Sequence, residues 1–288
     1  MVGLVLRRTN SPYIVLHLRG GLGNQLFQAT AAAYLASKFE TTVVLDDSNI
    51  IRHIEKSRRS WLRKIDLNAL YKTDKLIWRN KILSKLNLSA ISLKDNQLAL
   101  DEVDLKGLTE VTEKIHIADW FQNSTYAQLL MPKFVSDRGI RLRRSVRIQV
   151  NKIENTEDLG AIHVRLGDFR ETPWGILSED WYRGALVKMI EVKKLKRIDC
   201  YSDEIETARK MLTPLNRQIE IRFPEERYAL LPHELLWTMS KYNSFVSSNS
   251  SLSWWSSYLN QNNRPLVFCN WGNNLFLKNW HKISVYGE

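Results

Sequence analysis

Cysteine is scarce in this chain: Cys200 and Cys269 are the only two, and each stands inside or beside an apolar run. They read as small buried hydrophobes, which excludes a disulfide framework and a cysteine-rich metal cluster. No stretch approaches the roughly 20 apolar residues that span a bilayer. Met1 to Asn10 carries Arg7 and Arg8 but no apolar core followed by a small-residue cleavage site, so no secretory leader is expected. Internal repeats and low-complexity tracts are also lacking. Together these absences point to the cytoplasm as the compartment.

What is present is ordinary in bulk. The chain has 288 residues, 44% hydrophobic and 25% charged, enough for two medium α/β domains. Its balance is basic, +11 from 42 basic and 31 acidic residues, which raises nucleic acid, an anionic membrane surface and polyanionic substrates as partners. Basic residues gather at Arg52–Lys64 and Arg138–Arg147. Neither block has the spaced aromatics of a base-stacking platform, and no nucleic-acid-binding signature appears, so no nucleic-acid partner is expected. A solvated basic face is the plainer reading; peripheral contact with an anionic membrane is the favoured functional one.

The pattern alternates strand and helix. Tyr13–Leu18 is a continuous apolar run, as in a strand buried on both faces. A glycine turn follows, then a helix over Gln25–Lys38 and a strand over Thr41–Leu45, a parallel α/β opening. Residues 50–135 are charged and irregular and read as helices and connections over one lobe. A second series has strands at Leu159–Val164, Arg197–Tyr201, Gln218–Arg222, Ser244–Val246 and Pro265–Phe268. Its helices are expected at Ser178–Val192, Asp203–Leu212 and Ser250–Leu259. The polar stretch Asn151–Asp158 places a boundary near residue 152, giving lobes 1–152 and 153–288.

Three polar-glycine motifs follow apolar runs and precede helix-like ones, where an α/β fold offers backbone N–H groups to phosphate. The first is Gly20-Gly21-Leu22-Gly23-Asn24-Gln25. As a dinucleotide fingerprint it fails at its third glycine, which falls on Leu26, although Asp46 or Asp47 suits the ribose-binding acid. A tight strand-to-helix turn explains these glycines equally well. The second is His163-Val164-Arg165-Leu166-Gly167-Asp168. His163 and Arg165 share a strand face, and an arginine there can fork onto phosphate oxygens. A structural Arg165–Asp168 ion pair is the competing reading. In the third, Ser247-Ser248-Asn249-Ser250-Ser251-Leu252-Ser253-Trp254-Trp255, serines at a helix start either cap the helix or cradle a phosphate. Trp254 and Trp255 read as core.

In content and order these motifs, with Tyr201-Ser202-Asp203-Glu204, resemble those of the α-1,2-fucosyltransferases of glycosyltransferase family 11 in their small bacterial form. The likeness runs from about residue 13 to 272. It implies an α/β GT-B-like fold, two Rossmann-like lobes facing a central cleft, with GDP-fucose held mainly by the C-terminal lobe. The N-terminal lobe then takes a galactose-containing acceptor glycan, free or lipid-linked. The segment Asn270–Glu288, with Trp271 and Trp280, is expected to pack back across the cleft. The resemblance further implies inversion at the anomeric carbon, with no cofactor and no metal, consistent with the lack of an Asp-x-Asp motif at a strand end.

Carried over by position, Arg165 resembles the arginine that stabilises departing GDP, and Gly23 and Asn24 the turn residues that approach the donor. Asp203 resembles the carboxylate near guanine. Ser250, Ser251 and the Leu252 backbone resemble the β-phosphate cradle. His163 and Asp168 shape the site or contact the substrate, with Asp168, then Glu171, the candidate bases. Leu166 stands where many members of the family carry a second arginine, and Arg19 is the residue expected to compensate. Three classes stay open: a GDP-fucose-dependent transferase, the same architecture with another donor or linkage, and a non-catalytic GDP-sugar binder. A dinucleotide oxidoreductase is more distant.

Overall fold

The computed structural model describes residues 13–48, 50, 60–71, 73–78, 91–93, 114–130, 142–154, 158–173, 175–224, 229–242, 244–260, 266–268, 275, 277 and 280–283. Met1–Asn10, the basic residues at 52–59 and 138–141, Cys269 and Trp271 lie outside them. The chain divides into two compact units, residues 1–60 with 66–132, and residues 61–65 with 133–288. The division thus falls upstream of residue 152. The reason is helix Arg144–Glu154, whose Val146, Val150 and Ile153 are buried. Ile153 belongs to the core of the second unit, so this helix goes with that unit.

In the first unit, β1 (Tyr13–His17) leads through the glycine turn to α1 (Leu22–Lys38) and back to β2 (Val43–Asp46). Ile14, Val15 and Leu16 are all buried, as a parallel strand covered on both faces requires. α1 is rich in alanine and has little amphipathic contrast because it is buried almost all round; its polar Gln25, Gln28 and Thr30 are buried too. Each has a partner: Gln25 Nε2 donates to the Gly20 carbonyl at 2.8 Å, and the Thr30 hydroxyl to the Leu26 carbonyl at 2.9 Å. Gln28 Oε1 accepts the Arg19 N–H at 3.0 Å. Such pairing is what makes burial of these groups tolerable.

After the short α2 (Leu67–Tyr71), the unit adds β3 (Leu76–Trp78), β4 (Ile91–Leu93), β5 (Lys114–Ile117) and α3 (Ser124–Leu130). The five strands form one parallel sheet in the order β3-β2-β1-β5-β4. The expectation of helices and connections over residues 50–135 is corrected here. Three strands of three or four residues come from that region, too short to show a period and recognisable only by what they pair with.

The second unit begins, in described chain, with α4 (Arg144–Glu154) and β6 (Leu159–Val164), then α5 (Glu179–Val192), β7 (Arg197–Ser202), α6 (Ile205–Leu212) and β8 (Glu220–Arg222). It continues with α7 (Pro232–Met239), β9 (Ser244–Ser247), α8 (Ser251–Leu259), β10 (Leu266–Phe268) and β11 (His281–Ile283). Its six-stranded parallel sheet has the order β11-β10-β9-β6-β7-β8. Alternation along β6 feeds two cores. Ile162 and Val164 pack with Tyr182, Leu186 and Met189 of α5, while Leu159 and Ala161 pack with Ile153, Met239 and Tyr242. The sheet is therefore covered on both faces.

Among the described residues, the C-terminal segment stays with this second unit rather than crossing to the first. β11 extends the sheet beside β10, and Trp280 sits edge-on to Trp254, with ring centroids 5.5 Å apart. Trp254 and Trp255 are core, as their apolar setting predicted; the Trp254 Nε1–H donates to the Leu275 carbonyl at 2.7 Å. No helix of the described residues is long and apolar enough to cross a membrane.

Candidate active site

Parallel strands deliver their following loops to one edge, and in this second unit β7, β6 and β9 are neighbours. Their carboxyl ends bring three sequence-predicted groups together: Asp203 after β7, His163–Asp168 at and after β6, and Ser248–Leu252 after β9. Gly23 and Asn24 belong to the first unit.

Arg165 follows the last residue of β6, its backbone N–H donating to the Tyr182 hydroxyl at 3.1 Å. Burial pushes the Tyr182 phenol well up, so it stays protonated. The guanidinium is held by two carboxylates: Nη2 meets Asp168 Oδ1 at 2.5 Å and Nη1 meets Asp203 Oδ2 at 3.0 Å. Its carbon lies 5.4 Å from the Phe169 ring centroid. The third guanidine nitrogen, Nε, is buried with no hydrogen-bond partner among the described residues. The ion pair anticipated as an alternative is therefore present, and in double form.

Asp203 is engaged through both of its oxygens. Its Oδ1 accepts the Leu166 N–H at 3.0 Å while Oδ2 holds Arg165. A Cβ on Gly167 would run into that same Oδ2, so glycine is required here for close approach. Gly167→Ala is expected to push Asp203 off Arg165 and weaken binding of a nucleoside diphosphate at that guanidinium about 3–10-fold, the loss of about one hydrogen bond. Calorimetry beside a thermal melt checks this.

His163 does not face a ligand: it is 2% exposed, and burial, aided by the Arg165 charge, pushes it down to about 3. The neutral ring pairs through Nδ1 with the Ser248 hydroxyl at 3.2 Å, tying the end of β6 to the start of the serine loop. The linkage has a definite sign. The unfolded imidazole takes a proton near pH 6.5 and the folded one does not, so stability falls as pH drops below 6.5 towards about 3. Between pH 6.5 and 5 the loss is about 2 kcal/mol, at ~1.4 kcal/mol per pH unit. His163→Gln is expected to keep the Ser248 bond and flatten that slope in urea titrations; an unchanged slope would assign the acid sensitivity elsewhere.

The serine loop does not cap α8 with its N-cap side chain: Ser250, the N-cap, makes no side-chain cap hydrogen bond. Instead the Ser253 hydroxyl accepts the Ser248 N–H at 3.0 Å. The first-turn N–H groups of an α-helix have no intrahelical acceptor, so those of Ser251 and Leu252 remain for an anion. Asn249, 3% exposed, donates Nδ2–H to the Gly175 carbonyl at 3.0 Å, while its buried Oδ1 has no partner among the described residues. Sequence reasoning missed Tyr182, Phe169, Ser248 and Asn249 as members of the site. Ser248 and Asn249 lay inside the third motif and Phe169 directly follows the second; Tyr182 acts across a strand–helix contact that no spacing reveals.

In the first unit, the residue that needs glycine is Gly20, with φ +73°, rather than Gly23, which is buried in the first turn of α1. Asn24 Oδ1 accepts Gln122 Nε2–H at 2.9 Å. Arg19 stacks on Trp120, its guanidinium carbon 4.9 Å from the ring centroid. Asp46 is not set out as a ribose-binding acid: Oδ2 pairs with His17 Nδ1 at 3.0 Å and Oδ1 accepts the Ser48 N–H at 3.0 Å.

No protein-family model matches the chain. It is 25% identical to an Escherichia coli protein named O-antigen biosynthesis glycosyltransferase WbnK, over 84% of this chain and 89% of that protein. It is 22% identical to an E. coli alpha-1,2-colitosyltransferase, over 85% and 87% of the two chains. Among solved structures it is similar to POFUT1 in complex with GDP, with a TM-score of 0.56 at 15% identity over 89% of this chain and 98% of that one. The fucosyltransferase NodZ from Bradyrhizobium gives 0.56 at 13% identity, over 86% and 92%. In agreement with its resemblance to glycosyltransferase family 11, the chain is a glycosyltransferase whose α/β, GT-B-like fold is that of the solved fucosyltransferases.

Proposed function

We propose that this chain is an inverting, metal-independent transferase that moves L-fucose from GDP-fucose to the 2-hydroxyl of a galactose-containing acceptor glycan of the surface-polysaccharide or O-antigen type. The observation that carries the reading is the placement of Arg165, a guanidinium with a buried unpartnered Nε, on a strand end beside the one that opens into α8. Breaking a sugar–phosphate bond leaves charge on GDP, and an arginine with a helix N-terminus stabilises it without a metal. The GDP and GDP-fucose complexes of POFUT1 and the name of WbnK support donor and acceptor class.

In this scheme Arg165, the Ser250 and Ser251 hydroxyls and the Leu252 N–H receive the β-phosphate. Asp203 orients Arg165 and lies next to guanine, and Gly23 and Asn24 approach the donor. His163 is a positioning residue acting through Ser248, and Asp168 is a candidate base. The enzyme works in the cytoplasm, its basic surface favouring the inner membrane face and a lipid-linked acceptor. A second reading, another nucleotide-sugar donor with the same linkage, is favoured by the likeness to an alpha-1,2-colitosyltransferase.

Isothermal titration with GDP, UDP and NAD in EDTA tests the donor. Selective GDP binding, followed by mass-spectrometric detection of fucosylated galactosides whose new linkage NMR assigns, is the expected result. Equal binding of UDP or NAD removes the reading.

A further inference from the structure

Helix α4 breaks two local rules from which the core of the second unit gains nothing. Its buried stripe is Val146, Val150 and Ile153, which fixes the inward face. At about 100° per residue, Ile148 stands on the opposite side. It is 50% exposed, more than any other large hydrophobic side chain among the described residues. A β-branched residue there lowers helix propensity and packs on nothing inside the unit.

The second rule concerns charge. The first turn of α4 holds no acidic residue. It opens on Arg144, with Arg147 three residues on, at the end where the helix macrodipole disfavours cations. Both arginines are exposed, and neither has an ion-pair partner among the described residues. The acid of this helix, Glu154, is engaged with Lys241 at 2.8 Å. Arg147 and Ile148 lie three and four residues after Arg144, so both adjoin it on the outer face. Asn151 and Lys152 continue that face and are exposed too.

The helix is also held firmly enough to present this face. Arg143, just ahead of it, is bonded to Glu234 of α7, and Glu154 at its other end to Lys241, just past α7. A merely solvated face would need charge alone. A polyanion such as nucleic acid would use the guanidiniums and leave Ile148 in water. An anionic bilayer uses both: guanidiniums meet headgroup phosphates while the aliphatic side chain enters the acyl boundary between them.

We propose that the outer face of α4, centred on Arg144, Arg147 and Ile148, is the surface by which this protein lies on a membrane of anionic lipid. The proposal deepens, and rests on, the inner-membrane placement given above. Arg143 is excluded from the docking set because Glu234 already holds it.

Sedimentation with vesicles tests this, using the full chain without nucleotide or acceptor. The wild type is expected to partition at least about 10-fold more strongly onto vesicles of equal parts phosphatidylglycerol and phosphatidylcholine than onto phosphatidylcholine alone. Ile148→Ser is expected to weaken binding to the mixed vesicles about 3–5-fold. The Arg144→Gln, Arg147→Gln double variant is expected to weaken it about 10–30-fold, at roughly 5-fold for each guanidinium. All three side chains are exposed, so melting temperature and GDP affinity stay at their wild-type values in both variants. Equal partition of the wild type onto the two vesicle types overturns the proposal. A variant of either kind that binds the mixed vesicles like wild type overturns it as well; for Ile148→Ser that result would leave only a polyanion-binding patch. Vesicle binding by a protein that does not bind GDP defeats the transferase reading alone, whereas GDP binding without vesicle binding defeats this one alone.

Discussion

Arg165→Ala is expected to lower fucosyl transfer by about 10²–10³-fold, the range for removing one preorganised group at a developing anion. The structure makes the loss larger than that of a lone cation. Removal of the guanidinium leaves Asp203 with only the Leu166 N–H and leaves Asp168 without its 2.5 Å partner. Two unneutralised carboxylates then stand where a diphosphate must arrive, so GDP affinity falls with turnover. Arg165→Lys is expected to recover little, because an ammonium cannot span Asp168 and Asp203 from Nη2 and Nη1 while offering a third nitrogen. The fold survives, since the bond to Tyr182 uses the backbone N–H. Calorimetry and initial rates check both variants; an Arg165→Ala protein that binds GDP like wild type would remove Arg165 from the donor site.

The largest expected effect on stability lies elsewhere, at Arg143 and Glu234. Glu234 sits in the first turn of α7 with a side chain 0% exposed. Its carboxylate accepts Arg143 Nε at 2.7 Å, Arg143 Nη2 at 2.5 Å, the Arg143 backbone N–H at 3.1 Å and the Leu231 N–H at 3.0 Å. Arg143, expected to lie on a solvated basic face, is instead the counter-ion that lets α7 bury a charge just ahead of α4.

The partners are not equivalent. Arg143→Ala strands a buried carboxylate and is expected to cost about 2–4 kcal/mol, discounted from the ~3–5 kcal/mol of a fully buried pair because Arg143 is 47% exposed. Glu234→Gln leaves an arginine that can turn to water and is expected to cost less, about 1–2 kcal/mol. A melting-temperature fall of roughly 5–10 °C for Arg143→Ala is the readout. Burial raises the Glu234 carboxyl, but the Arg143 and backbone hydrogen bonds outweigh it and hold it below the ordinary range. The pair's stabilisation is therefore complete above about pH 4.5 and drains away as pH falls through the folded value. Equal losses in the two variants, or a pH-independent difference from wild type, would refute this account.

How much of this was legible in the sequence depends on the distance over which each feature is decided. The opening strand, turn and helix were readable because Tyr13–Leu18 and the alanine-rich run after Asn24 are local patterns; β6 and α5 emerged for the same reason, and Ser178 is the N-cap of α5, as Ser-before-Glu-Asp signals. β3, β4, β5 and β11 were not, because three or four residues acquire strand character from neighbours remote in sequence. The placement of Arg165 after β6 was readable; its two carboxylates were only half so. Asp168 is three residues away and could be guessed, whereas Asp203 arrives from the next strand. The His17–His116 contact depends on strand order, which no spacing encodes.

The double engagement of Arg165 more than cancels its charge in advance. A ligand does not fall onto a bare cation; it must exchange with two anions already in place. Chloride, a single atom with one charge, is a poor competitor in such an exchange, whereas a diphosphate can satisfy the fork and the helix N-terminus at once. Each carboxylate it displaces is left at the moment of binding as an acceptor in search of a proton or a donor. The site thus trades indiscriminate attraction for selectivity among anions, and its occupancy should depend on ionic strength far less than a free guanidinium's would.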